Sequence, residues 1–235
     1  MSTNPLAQEQ GIPALRGLDS SDRAVPYPWP KRLTDRVVPL VLLALALPVL
    51  LVVARAVALD MLICPADRGP WLYRERRFSR GREFDVLKFR VLREDVLECM
   101  RQEGREHTRP YEADSGNLTW AGRHVVKRWY FDEIPQLVNI LRGDMSLVGP
   151  RPWPLEMASE QHDRGVNYRS LILAGWTGPA QRQKTRLASL REAEALDLEY
   201  VEACRTKSAW ALWRYDAGIL GATLRMVLQG RGMRD

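Results

Sequence analysis

The sequence predicts an α+β fold, mostly helical: a membrane-associated N-terminal helical segment, then a globular domain with a short β-hairpin and amphipathic interfacial helices. Three observations predict it. Val37 to Ala54 is an uncharged run of eighteen residues between Arg36 and Arg55, the length at which a helix can cross a bilayer core. Two strand-like stretches flank Ser79-Arg80-Gly81. Elsewhere apolar residues recur at helical spacing, above all from Phe131 to Leu141 and from Trp210 to Val227.

Length and charge narrow the partners. A chain of 235 residues holds one well-buried domain plus a membrane element. Its net charge of +6 and pI near 9.5 favour anionic partners such as phosphates, acidic headgroups or nucleic acid. The basic residues are dispersed and no nucleic-acid motif appears, so no nucleic-acid partner is expected. Cys64, Cys99 and Cys204 are far apart, and His107, His124 and His162 do not cluster with them. That spacing argues against a zinc site or a disulfide framework and fits a reducing compartment.

Residues 1–31 are polar and proline-bearing, with Pro26, Pro28 and Pro30 just before Lys31-Arg32, and read as a flexible tail. Residues 32–60 form the membrane segment. Pro39 and Pro48 interrupt it, and a proline at mid-helix favours a kink. Both flanks are basic: Arg23, Lys31, Arg32 and Arg36 before it, Arg55, Arg68 and Arg74 after it. The positive-inside rule therefore names no side. A re-entrant segment that bends at Pro48 puts both flanks against the same headgroups; a kinked spanning helix is the alternative. A signal peptide also competes, through the small residues around Ala54 to Ala58, but the run is long for one.

Residues 61–235 form the remaining domain. Leu72–Phe78 and Glu83–Arg90 read as a hairpin, which puts Lys88 and Arg90 on one face as phosphate-binding candidates or as solvated edge charges. Arg93–Gly104 reads as a short helix and Glu106–Gly122 as a connector. Pro135 is tolerated only near a first helical turn, so Asp132 and Glu133 are expected at the start of the helix that ends at Gly143. There the helix dipole favours ionised carboxylates, and Lys127 and Arg128 lie alongside. Such a pair serves as nucleophile and magnesium ligand for a phosphate-bearing substrate, or as a solvated helix start. Arg151, locked between Pro150 and Pro152, is pre-ordered for phosphate. The turn Gly175–Gln181 brings backbone near a ligand. Arg205–Leu228 reads as an amphipathic helix, either interfacial or packed on the domain.

Phe131-Asp132-Glu133-Ile134-Pro135-Gln136-Leu137-Val138-Asn139, followed by Gly143-Asp144-Met145-Ser146-Leu147-Val148-Gly149-Pro150-Arg151-Pro152, resembles the signature of the bacterial sugar transferases, the monotopic phosphoglycosyl transferases. Lys88-Phe89-Arg90, Gly175 to Gln181 and Leu196 to Val201 follow in the same order, so the resemblance runs from about Lys31 to Leu228. It implies a re-entrant helix-break-helix with its break at Pro48, and a catalytic domain on the cytoplasmic face of the bacterial inner membrane. It further implies that Asp132 attacks the sugar-linked phosphorus of a UDP-sugar, releasing UMP, and that polyprenyl (undecaprenyl) phosphate then takes the phosphosugar. Mg2+ would be held by Glu133 and Asp132. Lys88, Arg90, Lys127, Arg128 and Arg151 would neutralise the diphosphate, with Gln181 also at the substrate.

The chain departs from the family pattern at four places. Leu47 replaces the usual serine before Pro48, and Trp129, Tyr130 and Phe131 replace Thr, Ser and Leu, a change expected to crowd the approach to Asp132. Arg74 stands for a glutamine and Phe78 for a glycine. A non-catalytic membrane scaffold or nucleotide-sugar-binding protein is therefore the second reading. The sugar and any homo-oligomer stay open.

Overall fold

The computed structural model describes residues 24–105, 107–183 and 189–229. Most of the predicted tail, Glu106 of the connector and the last six residues lie outside the described residues. Helix α1 spans Trp29–Ile63, with Pro28 just before it and Pro30 in its first turn, where a missing N–H removes no helical bond. Its 35 residues make it about 52 Å long.

The expected break at Pro48 is not there. α1 stays helical through Pro39 and Pro48, because a proline removes only its own N–H bond while packing holds the helix on either side of it. One stripe faces the domain: Lys31, Asp35, Pro39, Val53, Ala56, Val57 and Asp60 are buried, with Val38, Leu42, Leu43 and Val49 partly covered between them. The opposite stripe is apolar and exposed, including Leu33, Leu40, Leu45, Leu51, Val52 and Leu59.

Polar contacts pin both ends of α1 to the globular body. Near the start, the buried Lys31 ammonium donates to Val148 O at 2.8 Å and Asp216 at 2.7 Å, and the Leu147 amide donates to Asp35 at 2.9 Å. Near the end, the Ala121 amide donates to Asp60 at 2.9 Å. Lys31, expected to face headgroups, is thus an internal cation. Of the residues Ala54–Ala58, Ala56 and Val57 are buried against the domain.

The hairpin forms as expected. β1 (Leu72–Ser79) and β2 (Arg82–Phe89) pair antiparallel around Arg80-Gly81, both at positive φ, as a two-residue hairpin turn requires. Helix α2 (Glu94–Gln102) follows, and the connector contains a short helix, α3 (Arg109–Glu112). Helix α4 (Gln136–Arg142) leads into β3 (Met145–Val148); β4 (Trp153–Pro154) adds to the open side of β1, and α5 covers Leu155–Asp163. β5 (Ala174–Thr177) pairs parallel with β3 and runs into α6 (Pro179–Gln183).

The C-terminal region is two helices, α7 (Leu190–Thr206) and α8 (Ala209–Leu228), rather than one from Arg205. Ser208 caps the second by accepting from the Ala211 amide. α8 buries Leu212, Asp216 and Ile219 on the domain and leaves Trp210, Leu224 and Val227 exposed. Two cores result. One gathers Leu137, Ile140, Leu147, Tyr200 and Ile219; the other joins Val53, Ala56 and Val57 of α1 to Leu97, Met100 and Val126.

Candidate active site

The acidic pair sits just before the start of α4, as expected, on a 3-10 turn, Phe131–Glu133, that precedes the first helical residue, Gln136. The chain reaches this turn through a π-helical stretch, Gly122–Val126, and a 3-10 turn, Lys127–Trp129. Tyr130 joins the two 3-10 turns in the left-handed region, at φ 56°. That reversal sends Trp129 and Tyr130 outward, where both are exposed, and carries Phe131 into the second core. The three aromatics beside Asp132 are thus split, two at the surface and one in the core.

Asp132 is buried. Lys127 Nζ donates to its Oδ2 at 2.9 Å, and the same ammonium meets Glu112 of α3 at 2.6 Å. Asp132 Oδ1 is buried with no hydrogen-bond partner among the described residues. Burial pushes the Asp132 carboxyl above its ordinary value, Glu133 and Glu112 push the same way, and Lys127 opposes them. This reverses the direction expected from a helix dipole. Lys127 is itself held above its ordinary value, since Asp132 and Glu112 outweigh its burial.

Glu133 behaves oppositely. It is half-buried and accepts from Arg151 Nη2 at 3.3 Å. Burial works against its ionisation, but Arg151, Lys88 and Lys127 prevail and its carboxyl falls below the ordinary value. Two adjacent carboxylates are thus driven apart, the pattern that assigns them different chemical roles.

The hairpin supplies a charged hub that sequence reading missed. Glu75 and Arg77 alternate inward on β1, and Glu75 lies diagonally across from Lys88 of β2. Glu75, 1% exposed, takes Lys88 Nζ at 2.6 Å, His107 Nδ1 at 2.7 Å and the Arg77 guanidinium. Burial raises the Glu75 carboxyl, yet the His107 hydrogen bond and the Lys88 and Arg77 cations pull it down to about 2. The period-two alternation of Glu75 and Arg77 was the available signal. Asn139 of α4 fastens the hairpin beneath the dyad: its Oδ1 accepts from the Leu87 amide at 2.9 Å and its Nδ2 donates to Asp85 O at 2.7 Å.

Arg90 does not join Lys88. It lies one residue past β2, buried, donating to Pro70 O at 2.9 Å, Leu92 O at 3.1 Å and Asp67 O. Its guanidinium satisfies loop carbonyls, a structural task. Arg128 is exposed beside Trp129.

The two glycine-bearing turns approach each other. The Gly149 amide donates to Thr177 O at 2.9 Å and the Gly175 amide to Pro150 O at 2.7 Å. A Cβ at Gly175 would stand 2.1 Å from Gly149 N, and one at Gly178 would stand 2.2 Å from Gly149 O. Only glycine permits this contact, which braces the loop presenting Arg151. Arg169 adds a donor to Arg151 O and lies over the Trp153 ring at 4.1 Å. Gln181 follows on α6 with both amide atoms buried and without a partner among the described residues.

Comparisons with known proteins give the family. The family model of bacterial sugar transferases matches residues 27–230. A UDP-glucose:undecaprenyl-phosphate glucose-1-phosphate transferase of Caulobacter vibrioides is 34% identical over 192 residues, 78% of this chain and 64% of that protein. An undecaprenyl-phosphate glucose phosphotransferase of Komagataeibacter xylinus is 37% identical, covering 82% of this chain and 34% of the relative. A UDP-N-acetylgalactosamine-undecaprenyl-phosphate N-acetylgalactosaminephosphotransferase of Aeromonas hydrophila is 29% identical, with 88% and 46% covered. The chain spans from about a third to just under two thirds of the length of these three relatives. With the family model matching nearly the whole chain around a dyad of divergent carboxylates, the chain belongs to the bacterial sugar transferase family.

Proposed function

We propose that the protein transfers a sugar-1-phosphate from a UDP-sugar to polyprenyl phosphate, through a phosphosugar held covalently on Asp132, to start glycoconjugate assembly. The observation that carries this reading is the Asp132 carboxylate: Oδ2 is fixed by Lys127, and Oδ1 has no hydrogen-bond partner among the described residues. Relatives named for UDP-sugars and undecaprenyl phosphate support the substrate classes.

In the first step Oδ1 forms a bond to the sugar-linked phosphorus while the bond from that phosphorus to the UMP oxygen breaks, and UMP leaves with the electron pair. In the second, a phosphate oxygen of the polyprenyl phosphate bonds the same phosphorus and the carboxylate of Asp132 is released. Such transfers rest on positioning and on neutralising phosphate charge, and Lys127, Arg151 and Lys88 around the dyad supply the cations. Arg77, buried behind them, adds a fourth.

The donor set fits a magnesium ion. Mg2+ takes one or two carboxylates together with substrate phosphates, and the carboxylate of Glu133, held below its ordinary value beside Asp132, offers that set. When bound it would neutralise phosphate charge. Trp129 and Tyr130 are exposed and Phe131 packs inward.

We further infer same-side membrane insertion, with the catalytic domain on the cytoplasmic face. The apolar outer stripe of α1 suits lipid, while Lys31, Asp35 and Asp60 bring both helix ends to one globular body. The test of function is UMP release across a panel of UDP-sugars with Mg2+ and polyprenyl phosphate, wild type against Asp132→Asn. Release from at least one sugar, abolished in the variant, supports the reading; no release from any sugar defeats it.

A further inference from the structure

We propose that Trp129 and Tyr130 form a lip that seats the hydrocarbon chain of the lipid acceptor beside Asp132, with Arg128 at its polar edge. The proposal rests on the transferase reading above and adds residues to its second step.

Exposure is the first observation. Trp129 is 59% and Tyr130 43% exposed, two large aromatics two or three residues from a buried carboxylate, where a soluble surface would carry polar groups. The second is backbone conformation. A tyrosine at φ 56° occupies a region that bulky residues avoid and that persists only where the surroundings impose it. Here the reversal separates the outward aromatics from the inward acid. It turns Trp129 and Tyr130 to the surface while Asp132 meets Lys127 beneath them.

Continuity with the membrane helix is the third. Phe131, Val125 and Val126, on either side of the lip, pack in the same core as Val53, Ala56 and Val57 of α1. The turn is therefore mounted on the C-terminal half of the helix whose outer stripe carries Leu51, Val52 and Leu59. Aromatic rings with one wet and one apolar side favour the headgroup level of a bilayer. A polyprenyl phosphate has its phosphate at that level and its chain below it. Aromatics at Trp129 and Tyr130 suit the first isoprene units, the exposed Arg128 suits the phosphate, and Asp132 lies within a few residues of both. A uracil base stacked on the same rings is the competing occupant, and the two KM values measured below separate it from the lipid.

The experiment compares the wild type, a Trp129→Ser/Tyr130→Asn double variant and Trp129→Leu in nanodiscs of phosphatidylethanolamine and phosphatidylglycerol, measuring KM for undecaprenyl phosphate and for UDP-sugar separately. The double variant is expected to raise the lipid KM by about tenfold, the scale of one or two buried aromatic contacts, with the UDP-sugar KM held within about twofold. Trp129→Leu, which keeps an apolar side chain, should restore most of the lipid KM. Equal shifts in both constants, or none in either, would overturn the proposal. A second measurement needs no turnover: fluorescence quenching by a brominated prenyl phosphate should be weaker in Trp129→Leu than in wild type, and equal quenching would also overturn it. Absence of UMP release from wild type would instead defeat the transferase reading and leave the quenching result to be judged alone.

Discussion

Lys127 and Asp132 stand on opposite sides of the left-handed residue Tyr130, and the reversal there closes their side chains into a 2.9 Å ion pair. The pair fixes one oxygen of a buried carboxylate, and the other has no hydrogen-bond partner among the described residues. Backbone geometry, charge and reactivity are therefore set by one six-residue segment.

Removing the cation should show in the pH dependence of turnover. On the proposed mechanism Asp132 reacts as a carboxylate, so the rate should rise with pH as it ionises, and burial pushes the Asp132 carboxyl above its ordinary value. Lys127→Gln removes the group that opposes burial, so the acid limb of the pH–rate profile should move to higher pH. The rate at neutral pH should fall by about 10- to 100-fold, the scale of one charged hydrogen bond. An acid limb that stays in place would mean that Lys127 does not tune Asp132.

Glu75 should govern acid stability. Its folded carboxyl lies near 2 against an ordinary 4.5; a depressed carboxyl stabilises the fold above its unfolded value and loses that contribution as pH falls towards the folded one. The contribution is about 3 kcal/mol at neutral pH. Glu75→Gln should lower the urea midpoint at pH 7 and flatten its fall between about pH 4.5 and 2. An unchanged slope over that range would remove Glu75 from the role.

Gln181 is predicted to contribute to substrate binding and not to stability. Its amide atoms are buried with no partner among the described residues, and such an atom costs about 1–3 kcal/mol, so Gln181→Met should leave the thermal midpoint unchanged or raised. The KM for UDP-sugar should rise by about tenfold. A lowered midpoint with an unchanged KM would assign Gln181 to the fold.

Membrane topology is open to direct labelling. Ala24 and Arg74 flank α1 and are exposed. With the exposed native thiols Cys64 and Cys99 replaced by serine, Ala24→Cys and Arg74→Cys should both react only with reagents that reach the cytoplasm. Labelling from opposite sides would make α1 a spanning helix.

Local features were legible in the sequence, and long-range pairings were not. The hairpin, α4 and the acidic pair follow from turn residues, apolar period and a proline, all readable within a few positions. Arg90 was misplaced because the strand ends one residue earlier, which sends its side chain to loop carbonyls. Glu75, Glu112 and Asn139 gave little local sign of their partners, since each acts on a residue brought near only by folding. The glycines of Gly149 and Gly175 were visible as special, but that each exists for the other needed the parallel pairing of β3 and β5. Pro48 shows the limit of a breaker residue: packing along the domain keeps α1 helical through it.

The most direct test is intact-protein and peptide mass spectrometry after incubation with Mg2+ and the accepted UDP-sugar in the absence of polyprenyl phosphate. The account predicts a mass gain of one phosphosugar, localised to the peptide containing Asp132, absent in Asp132→Asn and discharged when polyprenyl phosphate is added. An adduct on another residue, or UMP release that persists at wild-type rate in Asp132→Asn, would contradict it.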